Sequence, residues 1–462
     1  MTAERLRCEL QAVALDEGGL GVGPELPPEA EAAPARLVHV VDLLPGERAE
    51  VAIDHASQHK AEAWGHVTKR LGPSSPDRVH PVCPGFGQCG GCVWQHLAYP
   101  AQLAAKHRRV VDALAQVPAV ANGSVSVAAV RPSPEITGYR NKGKYVVGRA
   151  GKHLVLGAYA PRSHHVIDTI GCRVVAPIID EFAIRVRRAA TAAGLVPYDE
   201  VSRTGELRYV VVREAGGEVL VALVVAPGTP RGKLEQVTTG LAKHPALRGI
   251  VAIENDRRDG AIVPSGASAQ VLFGQGFLIE ELAGARVEVG AGEFLQVNRA
   301  QATAMYERVA ELCEVSPGSS AVDLFAGLGG IGLHLARAGA TVVAVEIDRE
   351  AVEALLRAAQ QASLPLTAIA GDAADLRGQL TAHPDVVVVN PPRKGLSEGA
   401  RALLAEWAPS MIVYVSCGPD SLARDLAALA VAGYTPDVVE PFDLMPGTPQ
   451  VETVVRLRRA LP

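Results

Sequence analysis

From about residue 286 to the C-terminus, runs of Val and Ile alternate with helical segments, and this alternation limits the fold more than any other feature. "SAVDLF", "ATVVAVEID", "PLTAIAGDA", "PDVVVVNPP" and "MIVYVSCGP" read as strands, while "QATAMYERVAELCEV", "REAVEALLRAAQQA" and "ALLAEWA" have helical spacing. Strands with no polar face must be covered on both sides. That predicts a parallel sheet between helical layers, an α/β Rossmann-like fold that binds ligands at the carboxyl ends of its strands.

The residues at those strand ends favour one ligand class. In "DLFAGLGGIGLHLA", Phe325, Gly327, Gly329, Gly330 and Gly332 fall between a strand and a helix, where small residues let the backbone approach a nucleotide. Glu346 ends the next strand, 23 residues after Asp323, where an acid can take both hydroxyls of a ribose. Asp372 follows the third strand and is a partner for an adenine amino group. Asp323, so near the loop, opposes the pyrophosphate of NAD but suits the sulfonium and amino-acid end of S-adenosylmethionine. Asn390 ends the fourth strand in "NPPRKG", where two prolines stiffen the loop, and is read as a contact to the substrate base or cofactor rather than a self-capping turn. Cys417 ends the fifth strand on a Gly-Pro turn.

At 462 residues the chain calls for two or three domains, placed at 1–72, 73–285 and 286–462. Residues 4–71 alternate like short strands, broken by "DEGGLGVGPELPPEAEAAPA" and "LLPGE", which suits a small OB-like β-barrel. "LGPSSPDRVHP" reads as a linker and "YPAQLAAKHRRVVDALAQV" as a helix. "LRYVVVREAGGEVLVALVV" reads as a hairpin turning at Gly216-Gly217, and "GKLEQVTTGLAKH" as a helix, so 73–285 is mixed α+β. No run reaches the roughly 18 apolar residues of a membrane helix. "MTAERLRCELQAVALDEGG" is charged where a signal peptide is apolar, so a cytoplasmic protein without a membrane partner is expected, and a monomer.

The net charge of −5 excludes a wholly basic nucleic-acid protein. Yet residues 101–173 carry eleven Lys and Arg (Lys106, Arg108, Arg109, Arg131, Arg140, Lys142, Lys144, Arg149, Lys152, Arg162, Arg173) against three acids. With Tyr139, Tyr145 and Tyr159 interleaved, this segment predicts a polyanion-binding face on which bases stack. In a reducing compartment, cysteines are ligands, nucleophiles or packing residues. Cys83, Cys89 and Cys92 have the spacing C-x5-C-x2-C and Cys172 follows, four thiolates that suit zinc as readily as an iron–sulfur cluster. Cys8 and Cys313 are read as packing residues.

Taken in order, "CPGFGQCGGC", "GYRNK", "FLQVN", "DLFAGLGG", "NPPRKG", "SCGPDSLARDL" and "VETV" resemble the uracil-C5 RNA methyltransferases that carry an N-terminal TRAM domain and an iron–sulfur cluster, over essentially the whole chain. The resemblance implies a class I S-adenosylmethionine-dependent methyltransferase domain, a TRAM barrel at 1–72, and a 4Fe–4S cluster in 73–285 held by Cys83, Cys89, Cys92 and Cys172. It also implies that Cys417 is the nucleophile and that Glu452, in "QVETVV", is the general base. Uracil C5 is a weak nucleophile until a thiolate adds to C6, and the C5 proton must then leave before the thiolate is eliminated. By the same resemblance Gln296, beside Asn298, lines the base and cofactor pocket, and Phe294 stacks on a flipped base. The barrel and the cluster cysteines favour large-subunit (23S) ribosomal RNA over the T-loop of transfer RNA as the partner.

Four positions depart from the family pattern: Asn390 stands where Asp is usual, Gly418 where Asn is common, Gln450 where His is, and Ala326 where Cys is. A neutral amide accepts the uracil N3 proton more weakly than a carboxylate does, and it can also donate. Two further readings therefore stand beside the first. One is a cytosine-C5 RNA methyltransferase in which Asn390 donates to the base. The other is an RNA-binding or folding factor in which Cys417 and Glu452 are dispensable.

Overall fold

The computed structural model describes residues 6–26, 36–151, 153–161, 163–264, 266–376 and 383–459; Lys152 and Arg162 of the basic segment lie outside them. The chain divides into two units. One comprises Met1–Lys106, Ala160–Ser163 and Met445–Pro449, and the other His107–Tyr159, His164–Leu444 and Gln450–Pro462.

The first unit is built on β1 (Arg7–Gln11), β2 (Ala14–Leu15), β3 (Gly21–Leu26), β4 (Leu37–Val41), β5 (Arg48–Ala56) and β6 (Glu62–Leu71). β1 pairs with both β3 and β5, closing the order β1-β5-β6-β4-β3 into a five-stranded barrel that fits an OB-like domain. Period-two alternation turns Leu10, Val38, Val40, Ala49 and Val51 into its core. β3 lies in a stretch the sequence marks as a break, and its glycines are what closure needs. A Cβ at Gly21 would sit 2.2 Å from the Leu43 carbonyl oxygen, and one at Gly23 2.0 Å from that of Gln11.

Between the barrel and the second sheet come α1 (Tyr99–Leu114) and α2 (Pro118–Ala121). The second unit opens with β7 (Lys142–Ala150), β8 (His153–Tyr159), β9 (Val166–Asp168), α3 (Pro177–Ala192), β10 (Leu207–Ala215), β11 (Glu218–Val225), α4 (Arg231–Leu241), β12 (Leu247–Glu254) and β13 (Ala269–Gly274). These form a seven-stranded mixed sheet, with Ile179, Phe182 and Val186 of α3 packed on the face that carries Tyr145, Val147 and Val210. Gly216 and Gly217, at φ 57° and 82°, turn the β10–β11 hairpin.

A hairpin of β14 (Leu278–Leu282) and β15 (Ala285–Val289) leads to α5 (Arg299–Leu312). The alternating region follows as β16 (Ser320–Leu324), α6 (Gly330–Arg337), β17 (Thr341–Glu346), α7 (Arg349–Gln361), β18 (Leu366–Ala370), β19 (Val386–Val389), α8 (Glu398–Trp407), β20 (Met411–Ser416), α9 (Pro419–Val431), β21 (Tyr434–Phe442) and β22 (Glu452–Arg459). The strand order is β18-β17-β16-β19-β20-β22-β21. β16 to β20 are parallel, but β22 runs antiparallel between β20 and β21. The expectation of a parallel sheet is corrected at that end: a tight return from β21 can only bring the last strand back in the opposite direction. Among the described residues no helix is long and apolar enough to cross a membrane.

Candidate active site

The first half of the site is the loop after β16. Phe325, Gly327 and Gly329 all have positive φ (64°, 55° and 82°), and Gly329 caps α6. A Cβ at Gly329 would lie 2.2 Å from Leu355 Cδ1 and one at Gly330 2.7 Å from the Tyr306 ring, so these glycines permit close packing. Nothing lies within 4 Å of a Cβ at Gly327, which leaves an open cradle over the loop. Glu346, at the end of β17, accepts the Gly327 N–H at 2.9 Å with one oxygen and the Asp348 N–H at 3.0 Å with the other. Its carboxylate is thus fixed beside the cradle.

Asp323 is buried and accepts the Gly332 N–H at 2.8 Å, while its second oxygen has no partner. Burial pushes its carboxyl up to about 7, against the pull of that hydrogen bond. It holds α6 to the strand and is not exposed to a ligand. Asp372 is exposed and accepts the Ala374 N–H at 2.9 Å, capping a 3-10 turn at Ala373–Asp375. One of its oxygens is therefore already engaged.

The second half lies at the ends of β19, β20 and β22. Ser416 pairs with Thr453 in the β20–β22 ladder, so Cys417 and Glu452 are the next residues on, side by side at the carboxyl end of the sheet. Burial, then the charge of Glu452, push the Cys417 thiol up, while Arg393 draws it down by its charge and by a hydrogen bond. Glu452 keeps a little accessible surface, but the enclosure of its carboxyl pushes it up to about 7, with Arg393 again opposing. Arg393 Nη2 donates to Gln450 Oε1 at 3.0 Å. Asn390 is half-buried, and its backbone N–H donates to the Leu324 carbonyl at 3.3 Å, which joins its loop to the cofactor-side strand. A thiol, a carboxyl that titrates near neutrality and a guanidinium thus converge, a group able to form and resolve a covalent adduct.

The "FLQVN" segment enters from the side of the mixed sheet. Asn298 is structural: its amide donates to Ser133 Oγ at 2.9 Å and the Leu444 carbonyl at 3.2 Å, and its oxygen caps α5. The Gln296 carbonyl accepts from Asn141 at 3.3 Å, and Phe294 is 71% exposed. Lys142 and Arg213, paired across β7 and β10, both donate to the Glu293 carbonyl, at 3.3 and 2.6 Å. Burial, with the charges of Arg213 and Lys144, pushes Lys142 down to about 6. Neither Arg393 nor this buried pair stood out in the sequence, although both lie in motifs or strands already singled out.

The basic segment is less available than its composition suggests. Lys106 is buried and donates to the Met445 carbonyl, and Lys142 is buried as described. Tyr139 and Tyr145 are also buried, which corrects their reading as stacking platforms: their large apolar rings are taken into packing. Tyr159 stays half-buried. Cys83, Cys89 and Cys92 lie on a turn-rich segment of the first unit, and Cys172 follows β9 in the second. Their thiols are of the right chemistry for a cluster, but among the described residues no three His, Cys, Asp or Glu side chains converge as a metal site. Among the described residues no disulfide is formed; Cys313 is buried and Cys8 packs against the barrel core.

A family model described as Methyltransferase small domain matches residues 307–406, and one described as tRNA (Uracil-5-)-methyltransferase matches residues 379–460. The chain is 33% identical over 426 residues to an uncharacterized RNA methyltransferase of Halalkalibacterium halodurans, covering 90% of each. It is 33% identical over 469 residues to one of Geobacter sulfurreducens, covering 98% of this chain and 90% of that one. In fold it is similar to the crystal structure of the Pyrococcus abyssi tRNA (uracil-54, C5)-methyltransferase in complex with S-adenosyl-L-homocysteine. There the TM-score is 0.74 at 24% identity, covering 98% of this chain and 100% of that one.

Proposed function

Because this chain belongs to the RNA methyltransferases of the tRNA (uracil-5-)-methyltransferase family, we propose that it methylates C5 of a uracil in RNA through a transient Cys417–C6 adduct resolved by Glu452. The observation that supports this reading is the β20–β22 register, which brings Cys417 next to Glu452. S-adenosylmethionine supplies the methyl group as an electrophile. Gly327 and Glu346 form its cradle, with Phe325, Gly329 and Gly330 shaping the loop and Asp372 at its edge. Cys417 adds to C6 of a base extruded from the RNA, which makes C5 nucleophilic. Asn390 accepts from N3–H, Gln296 lines the pocket and Phe294 stacks on the base. Glu452, poised near neutrality, then takes the C5 proton so that Cys417 can leave.

The target we favour is 23S ribosomal RNA, with the barrel as an RNA-gripping TRAM domain and the protein working as a cytoplasmic monomer. Cys83, Cys89, Cys92 and Cys172 are assigned to a 4Fe–4S cluster of structural role; the thiolate set and the motif order support this, and no step of the methyl transfer runs through it. Iron and acid-labile sulfide analysis of anaerobically purified protein tests that assignment. To test the function, the protein is incubated with S-adenosylmethionine and unmodified ribosomal or transfer RNA, and the nucleosides are resolved by mass spectrometry. We expect 5-methyluridine in the ribosomal RNA, and none with Cys417→Ala. 5-Methylcytidine would favour the cytosine reading, and no methylation despite bound donor would favour an RNA-binding factor.

A further inference from the structure

We propose that Gln102 and Lys106 are positioning residues for Glu452: with the backbone of Trp94 they hold the loop that delivers the general base to its strand, and so set the rate at which the C5 proton is removed. This rests on the reading of Glu452 as that base.

The loop joins the last two strands. Phe442 and Glu452 are paired in the β21–β22 ladder, so residues 443–451 lie outside it. Antiparallel neighbours need only about 2–5 connecting residues. This excursion is longer, and it is not a surface loop: Asp443, Leu444, Thr448 and Val451 are buried. Its middle, Met445–Pro449, belongs to the first unit together with α1 up to Lys106 and the segment of Cys83, Cys89 and Cys92. A buried loop must find partners for its backbone.

Those partners come from α1 and from "CVWQH". The Gly447 N–H donates to Gln102 Oε1 at 2.8 Å, and the Gly447 carbonyl accepts from the Trp94 N–H at 2.9 Å. Gln102 Nε2 donates in turn to the carbonyls of Trp94 at 3.1 Å and Leu97 at 2.8 Å, so the amide that holds Gly447 is itself fixed. One turn further along the same face of α1, Lys106 Nζ donates to the Met445 carbonyl at 3.1 Å, which also accepts from Thr448 Oγ1 at 2.8 Å. Gln102 is 6% exposed and Lys106 0%, so neither is a surface contact. Gly447, at φ 79°, lets the loop come close: a Cβ there would lie 3.4 Å from Gln95 Cγ and 3.7 Å from Cys92 Cβ. Gln95 Oε1 accepts the Cys83 N–H at 3.1 Å, so the cysteine-bearing segment is packed on the loop as one support.

Glu452 is the first residue of β22, three residues after Pro449, so the ladder supports its backbone on one side and this loop on the other. A base must stand within hydrogen-bond reach of the proton it takes, and a misplacement of about 1 Å can cost on the order of 10²-fold in rate. Its step comes last. After methyl transfer the C5 proton passes to the Glu452 carboxylate, the C5–H pair re-forms C5=C6, and the S–C6 pair returns to Cys417. A loosened loop therefore slows release of the adduct and leaves its formation alone.

The test compares the full chain, purified anaerobically, with its Gln102→Met and Lys106→Met variants, which keep the side-chain length and remove the polar contact. Trapping on 5-fluorouridine-substituted ribosomal RNA reads adduct formation, and turnover on unsubstituted RNA reads the whole cycle. We expect both variants to trap at the wild-type rate, to turn over roughly ten- to a hundredfold more slowly, and to carry more labelled protein–RNA adduct on a denaturing gel. Hydrogen exchange of the 445–455 peptide, measured without RNA, should be about tenfold faster in Gln102→Met, whose Gly447 N–H has lost its acceptor. Unchanged turnover, unchanged exchange, or turnover and trapping that fall together would each overturn the proposal. Should Gln102→Met not fold, the same readings on Lys106→Met decide. A wild-type protein that neither traps nor methylates sinks the functional reading instead, and the exchange comparison then decides by itself whether these residues hold the loop.

Discussion

Cys417 and Glu452 stand one residue beyond Ser416 and Thr453, the last paired positions of two antiparallel strands. Strand direction makes the pairing: because β22 runs back against β20, its first residue meets the end of its neighbour. Glu452, held at about 7, is mostly a carboxylate only above neutrality. We therefore expect the single-turnover methylation rate to rise through about pH 7. Glu452→Gln should lose roughly 10²–10⁴-fold in turnover and accumulate a methylated protein–RNA adduct. A gel of denatured reaction mixtures with labelled donor reads both.

Two glycines of the cofactor loop should respond oppositely to alanine. At Gly329 a Cβ meets Leu355 at 2.2 Å and φ is 82°, so Gly329→Ala should destabilise the fold by about 2–3 kcal/mol. At Gly327 the space is open, so Gly327→Ala should cost only about 1 kcal/mol for its φ of 55°. Its methyl group would stand in the cradle, however, and S-adenosylhomocysteine affinity should fall by about tenfold or more. Thermal unfolding and calorimetric titration separate the two effects.

The buried carboxyl of Asp323 sets a pH slope. Its folded value of about 7 lies above the ordinary 3.8, so between these values the folded chain binds more protons than the unfolded one. Its contribution is fully present below about pH 4 and is lost as pH rises through 7. Asp323→Asn keeps an oxygen for the Gly332 N–H and carries no charge. We expect it to gain on the order of a few kcal/mol relative to wild type between pH 5 and pH 8, by denaturant unfolding at each pH.

Lys142 gives the opposite slope. Its value of about 6, against an ordinary 10.5, means that the unfolded chain binds more protons across that window, so stability rises with pH within it. Below pH 6 the full cost of a buried charge applies. Lys142→Met should flatten this dependence and be at least as stable as wild type at pH 6. A variant that is much less stable there would mean that the donation to the Glu293 carbonyl outweighs the burial cost.

Much of the methyltransferase half was legible because its chemistry sits in short contiguous motifs: the glycine loop, Glu346 at a strand end, and Cys417 on its turn. The closing strand β3 was not, because Gly21, Gly23 and Pro24 carry the signs of a turn, and only the nearness of Leu43 and Gln11 shows why a strand needs glycine there. The reversal of β22 was also hidden, since Val454 and Val455 look the same in either direction. Tyr139 and Tyr145 misled because alternation with basic residues does not say which face is covered. Arg393 went unnoticed because its partner, Gln450, is distant in sequence and meets it only once the chain is folded.

The central claim is the covalent Cys417–uracil adduct, and 5-fluorouridine-substituted RNA tests it most directly, because fluorine at C5 leaves no proton for Glu452 to remove. With S-adenosylmethionine present, we predict a denaturation-resistant protein–RNA complex with substituted ribosomal RNA. Its RNA-linked peptide should contain Cys417, and Cys417→Ala should abolish it. A donor-bound protein that methylates unsubstituted RNA yet forms no such complex, or forms one equally well with Cys417→Ala, would contradict the account.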